Sequence, residues 1–181
     1  MTHNFNASLT KSHTAEELPL WEECYQKAFA PYFASMTSHR RDGFWQRDGI
    51  DRTVVLTTSK IYRIDEKIRW KSYNDVLLEF MSNDKTCSPG WVCKPLMCDY
   101  IAYAIAPAGL CLLLPVVQLQ QAWERNGQKW KSIYRTLVAK NNTYNTLSIA
   151  VPIDALFNAI GAALRISFTP MVEQVLDEII I

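Results

Sequence analysis

Asp51-Arg52-Thr53-Val54-Val55-Leu56-Thr57-Thr58-Ser59-Lys60-Ile61-Tyr62-Arg63-Ile64-Asp65-Glu66-Lys67-Ile68-Arg69 reads as two strands joined by a short turn. Thr53 to Leu56 is a β-branched, apolar run, Thr58-Ser59-Lys60 is polar and short, and Ile61 opens a second run. The pattern predicts strands over 51–58 and 61–69. Side chains alternate along a strand, so Ile61, Arg63, Asp65, Lys67 and Arg69 share one face and Tyr62, Ile64, Ile68 and Trp70 the other, with Glu66 pointing away from Asp65 and Lys67. Asp51 follows the turn Arg47-Asp48-Gly49-Ile50 and begins the first strand. Two carboxylates and one ammonium are therefore expected to converge. Such a group suits a hard divalent cation and a water attacking a phosphodiester. The plain alternative is a set of surface ion pairs worth less than about 1 kcal/mol.

Outward from this hairpin the chain alternates helices and strands. A third strand is expected over 75–81, where Asp75, Leu77, Glu79 and Met81 share a face and Glu79 approaches the same spot from a neighbouring strand. Upstream, Trp21, Cys24, Tyr25, Ala28, Phe29 and Tyr32 recur at helical spacing, which predicts a helix over 18–34 with Pro19 at its first position. Thr14-Ala15-Glu16-Glu17 has the spacing of a capping box. Glu22 falls at the edge of the apolar stripe and Glu23 points away, so Glu22 is the better candidate for a site carboxylate. The alternative is two solvated glutamates favoured by the helix dipole.

Downstream, Tyr100 to Val117 is a long apolar stretch broken by Pro107-Ala108-Gly109 and ended by Pro115. It reads as two buried strands joined by a turn, and not as a membrane helix. A helix is expected from Val116 to about Asn126, ending near Gly127, then a short strand over 147–150, a helix over 152–164, and a last helix after Thr169-Pro170.

The chain has 181 residues, 49% of them hydrophobic, so one domain spanning 1–181 is expected, with a flexible 1–13, a core over 15–120 and a helical part over 150–181. Its formal charge is +1, so no overall basic field marks a polyanion binder. Local clusters must do that work, and Arg40, Arg41, Arg47, Arg63 and Arg69 surround the hairpin. Lys94, Arg125, Lys129 and Lys131 would be further contacts if the segment after the sheet folds over the cleft, and Trp45, Trp70, Trp91 and Trp130 could stack on the bases of an opened strand or serve as core and rim aromatics. The five cysteines show no C-x-x-C pair, and the start lacks a charged-then-apolar leader, which points to a reduced, cytoplasmic protein. The three histidines, His3, His13 and His39, lie outside the expected sheet, leaving a serine or cysteine triad without a base. No glycine-rich phosphate loop occurs.

A helix, then strands with an Asp entering the first, Asp-x-Lys in the second and an acid in the third, resembles the PD-(D/E)xK nuclease superfamily. Gln46-Arg47-Asp48-Gly49-Ile50-Asp51 looks like the segment entering that family's first catalytic strand, and Ile64-Asp65-Glu66-Lys67 like its signature strand. The family's proline before the first Asp is replaced here by Ile50. The resemblance implies an α/β (α+β mixed) chain with a restriction-endonuclease-like central mixed β-sheet flanked by helices. It implies a nuclease in which Asp51, Asp65 and the Glu66 backbone carbonyl hold Mg2+, for which Mn2+ substitutes. Lys67 would orient or help deprotonate the attacking water, and Glu22 would complete the metal shell. Glu79 and Gln46 are secondary candidates. The implied partner is nucleic acid, DNA before RNA, with no membrane and with a homodimer as a candidate assembly. A non-catalytic nucleic-acid-binding or accessory module on the same fold is the alternative.

Overall fold

The computed structural model describes residues 19–171. Helix α1 (Pro19–Phe29) is followed by β1 (Phe33–Ser38), a short helix α2 (Gly43–Arg47), β2 (Arg52–Leu56) and β3 (Ile61–Arg69). Next come β4 (Asp75–Asn83), β5 (Ser88–Pro89), β6 (Tyr100–Ile105), a 3-10 turn (Ala106–Ala108) and β7 (Leu110–Pro115). Helix α3 (Val116–Ile133), β8 (Thr136–Lys140), β9 (Asn145–Pro152), α4 (Ile153–Ile160) and β10 (Leu164–Ser167) complete the described chain. It is a mixed α/β protein, and its described residues form two compact units.

One unit comprises 19–73, 97–116 and 163–171. Its six-stranded sheet has the order β1-β2-β3-β6-β7-β10. All neighbours are antiparallel except β3 and β6, which run parallel with Ile64 opposite Tyr100 and Lys67 opposite Tyr103. Alternation decides what each face carries. Val54, Leu56, Ile64, Ala102, Ala104, Cys111 and Leu113 face α1, whose Leu20, Trp21, Cys24 and Tyr25 close the core over them. On the other face Ile101, Ile105, Leu112 and Leu114 are also buried.

The second unit comprises 74–96 and 117–162. Its sheet has the order β5-β4-β9-β8, antiparallel throughout. Val76, Leu78, Ile149, Val151, Ile153 and Leu156 are buried, and Phe80 stacks on Trp123 of α3 at 6.2 Å. Gly90 sits where a Cβ would overlap the Glu79 backbone carbonyl. Gly90→Ala is therefore expected to cost about 1–3 kcal/mol in urea unfolding, because backbone cannot yield as a side chain does. Gly43→Ala, with nothing within 4 Å of the added carbon, is the control and should change stability by no more than about 0.5 kcal/mol.

The second strand and the two apolar strands lie where the sequence puts them, and several other elements differ. The first helix stops at Phe29 because Pro31 disfavours helical geometry in the residue before it, and Tyr32 is left half exposed. β1 was not expected, since Phe33-Ala34-Ser35-Met36-Thr37-Ser38 alternates only weakly between apolar and polar residues. The strand carrying Glu79 does not extend the hairpin as a meander; β4 pairs with β5 and β9. Helix α3 runs through Gly127, a buried position whose missing side chain leaves room for the Trp123 ring. Helix α4 ends at Ile160, where Gly161 takes φ 75, a conformation suited to glycine, and Leu164 belongs to a strand. The capping box at 14–17 and nearly all of the expected last helix lie outside the described residues. None of the described helices is long and apolar enough to cross a membrane.

Candidate active site

Asp51 is fixed by its own backbone before its side chain is considered. Its N–H donates to the Ile64 carbonyl at 2.9 Å, and its carbonyl accepts the His39 N–H at 2.8 Å. The β2–β3 ladder runs out at Arg52 opposite Ile64, so the next β3 amide on that edge, Glu66 N–H, has no strand partner there. Asp51 Oδ2 accepts it at 2.7 Å, in place of a backbone carbonyl. In an extended strand the N–H and C=O of one residue point to the same edge, so the Glu66 carbonyl also looks toward Asp51. Asp51 Oδ1 accepts Gln46 Nε2 at 3.0 Å.

Asp65 and Lys67 project from the face of β3 opposite α1, with Lys67 Nζ 2.5 Å from Asp65 Oδ1. The Asp65 side chain is 6% exposed and that of Lys67 33% exposed. Burial pushes the Asp65 carboxyl up to about 6, against the pull of Lys67. The neighbouring Asp51 adds to the rise, by its charge and by hydrogen bonding to the protonated form. Burial also acts upward on Asp51, but Arg40, the Glu66 amide, Lys67 and Gln46 outweigh it and hold the carboxyl below its usual range. For Lys67, burial favours the neutral amine, yet Asp65 and Asp51 raise the pKa above normal. Lys67 is thus an ammonium at neutral pH. Cys98, beside both, is pushed up to about 12 by burial and then by Asp65, and stays a neutral thiol.

Glu66 enters the opposite face and is fully buried. Tyr25 Oη donates to Glu66 Oε1 at 2.7 Å, Arg52 Nε to the same oxygen at 2.6 Å, and Arg40 Nη2 to Oε2 at 3.1 Å. Arg40 Nη2 also lies 3.3 Å from Asp51 Oδ2, linking the two faces of the site. Asp51, Asp65 and Glu66 are matched by Arg40, Arg52 and Lys67, so at neutral pH the cluster is electrically balanced. That balance is what lets six charged groups remain largely or partly buried together.

The raised Asp65 carboxyl has a pH consequence. The folded state binds this proton more tightly than the unfolded chain, so the stabilising contribution is complete below the ordinary value of 3.8 and is lost as pH rises through about 6. Asp65→Asn removes that titration. Relative to wild type, the variant should gain up to about 3 kcal/mol between about pH 3 and pH 7, as read by urea unfolding along the series.

The structure brings together Asp51, Asp65, Lys67, Gln46 and the Glu66 backbone. It does not bring in Glu22, which is exposed and accepts Gln26 Nε2 at 3.0 Å. Glu23, the residue judged to point away, is half-buried and bound to Lys27 and to the Thr169 N–H. The helical wheel fails here because it does not see the segment after β10 that comes alongside. Glu79 lies on β4, in the sheet of the second unit, and its strand is no neighbour of β3. Arg40 is turned inward with its side chain 13% exposed, and Arg63 is paired with Asp99 at 3.1 Å, so neither is an open phosphate contact. Arg69 lies over the Tyr73 ring, and Arg41 and Arg47 are exposed. Lys94 and Lys131 line a cavity of about 550 Å3 in the second unit, next to Trp123 and Cys93. Trp91 and Trp130 are buried, which removes them as stacking platforms.

Tyr25 and Arg52 are the participants missed from sequence. Among the described residues no group of three or more His, Cys, Asp or Glu side chains is arranged to hold a metal ion. Comparison with family models, curated proteins and solved structures returns no match for the chain.

Proposed function

We propose that this chain is a divalent-metal-dependent phosphodiesterase acting on nucleic acid, DNA before RNA, on a restriction-endonuclease-like sheet. The observation that carries the reading is the convergence of two buried carboxyls on the Lys67 ammonium: Asp65 bonded to it and Asp51 held by Gln46 and the Glu66 amide of the same strand. The order of elements supports it: a helix, strands with Asp51 immediately before β2 and Asp-x-Lys inside β3, then β6 parallel to β3.

The donor set fits Mg2+ and Mn2+ better than zinc. Magnesium takes one or two carboxylates and fills its remaining positions with water and substrate oxygens, whereas a structural zinc site needs four nitrogen or sulfur ligands. Asp51, Asp65 and the Glu66 carbonyl would hold the ion, and the chemistry it supplies when bound is neutralisation of charge on the phosphate. Gln46 holds the Asp51 carboxylate in one orientation. Lys67, protonated and one-third exposed, is suited to positioning the attacking water and stabilising negative charge electrostatically.

Incubation with plasmid, single-stranded DNA and RNA in Mg2+ or Mn2+ tests this. Cleavage that EDTA abolishes is the expected result. No cleavage of any substrate, or cleavage undiminished in Asp65→Ala, overturns it. One observation favours the second reading, a non-catalytic binding or accessory module: Arg40, 3.3 Å from Asp51, already provides that carboxylate with a cation. In that case calorimetry should show no specific Mn2+ uptake, whereas a working site should bind Mn2+ and lose it in Asp51→Ala.

A further inference from the structure

We infer that α2 is a base-stacking platform beside the Asp51–Asp65–Lys67 site, and that the substrate is accordingly a nucleic acid with unpaired bases, a single strand and not an intact duplex. The inference rests on the phosphodiesterase reading and adds the substrate class to it.

Phe44 stands in the first turn of α2 with 64% of its surface exposed. Its backbone is nonetheless anchored. Asp42 Oδ1 accepts the Phe44 N–H at 2.9 Å and fixes the start of the helix. Trp45 meets Phe44 edge-on at 6.1 Å and stacks on His39 at 4.4 Å and 23°, and His39 Nε2 lies 3.0 Å from Thr53 Oγ1 on β2. The ring is thus carried on a braced support.

The platform is also tied to the site. Ile50 N–H donates to the Trp45 carbonyl at 3.0 Å, and Gln46, two residues after Phe44, reaches Asp51 Oδ1. Exposed Arg41 and Arg47 flank it, and Arg47 is held along the helix by its Nε bond to the Gly43 carbonyl. An exposed aromatic in a segment that also exposes Arg41 and Arg47, with Asp42 engaged in capping the helix, matches a polyanion that also offers π-faces. A single strand offers both. In a duplex the base faces are already stacked, and Phe44 would find none.

Fluorescence anisotropy in EDTA tests the inference without requiring turnover, using labelled oligonucleotides of about 12 nucleotides, single-stranded and duplex, of one sequence. Wild type should prefer the single strand by about tenfold. Phe44→Ala should weaken single-strand binding by about tenfold and leave duplex binding unchanged, and Phe44→Trp should retain it. Arg41→Ala and Arg47→Ala should each flatten the dependence of log affinity on log salt by about one. Equal affinity for both nucleic acids, or Phe44→Ala binding single strands like wild type, overturns the inference. So does a dimer in sedimentation that Phe44→Ala dissolves, since the ring would then serve a second copy of the chain. If the protein cleaves nucleic acid and Phe44→Ala alters neither binding nor cleavage, this inference fails and the reaction stands. If single-strand binding depends on Phe44 and nothing is cleaved, the reaction fails and the platform stands.

Discussion

Asp65→Ala and Lys67→Ala are each expected to lower kcat/KM for nucleic-acid cleavage by about 10²–10³-fold, while both proteins stay folded. The size follows from what each group contributes. Lys67 is a fixed positive charge in a partly water-excluded site, and removing one such preorganised group typically costs this much. In the proposed site Asp65 is one of the two carboxylates that would hold the cation, so its loss would remove half of that charge. The two variants differ in a measurable way. Lys67 lowers the Asp65 pKa, so in Lys67→Ala the Asp65 carboxyl should titrate above its value of about 6, which carboxyl-detected NMR reads directly. Mn2+ binding by that variant should therefore weaken most on the acid side, where proton and metal compete for the same oxygens. Steady-state kinetics with the NMR titration checks both statements, and unchanged kcat/KM in either variant contradicts them.

Glu66→Ala is expected to cost about 3–5 kcal/mol of stability, the largest loss at any single position of the cluster. Its carboxylate is fully buried and accepts from Tyr25, Arg40 and Arg52. Truncation leaves the Arg52 guanidinium, 7% exposed, without its nearest counter-charge, and the Tyr25 hydroxyl without its acceptor. The double variant Arg52→Met/Glu66→Leu should recover a substantial part of the loss, because both charges leave together and Arg40 keeps Asp51 at 3.3 Å. Urea unfolding of the wild type, both single variants and the double variant gives the coupling. By contrast, Arg63→Ala should cost less than about 1 kcal/mol, since the Arg63 and Asp99 side chains are 41% and 33% exposed.

Much of the site's skeleton could be read from the chain because strand alternation is a local property. The second strand spans Ile61–Arg69 as expected, and Asp65, Lys67 and the reversed Glu66 follow from period two alone. Partner choice across the sheet was less legible. Nothing local tells β3 to pair in parallel with β6, or β4 to leave for another sheet, and the misplacement of Glu79 follows from that. The Arg52–Glu66 pair did leave a trace. Arg52 alternates with Val54 and Leu56, and Glu66 with Ile64 and Ile68, so each charge sits on an apolar face of adjacent strands. A charge on a core face requires a partner, and the diagonal neighbour on the next strand was the natural one. Tyr25 left no such trace. In the helix pattern it was one more aromatic of the stripe, and only the tertiary fold shows that its hydroxyl reaches Glu66.

The parallel pairing of β3 with β6 also bears on when the site comes into being. Parallel neighbours cannot be joined by a tight turn, and here the chain between them first lays down β4 and β5 of the other sheet. During synthesis from the N-terminus, β2 and β3 can close their hairpin early, but the far edge of β3 stays open until residues 100–105 have left the ribosome. Non-local closure of this kind slows folding relative to local contacts. The strand bearing Asp65 and Lys67 is therefore finished late, and a nascent chain carries its candidate catalytic residues for some time before it can use them.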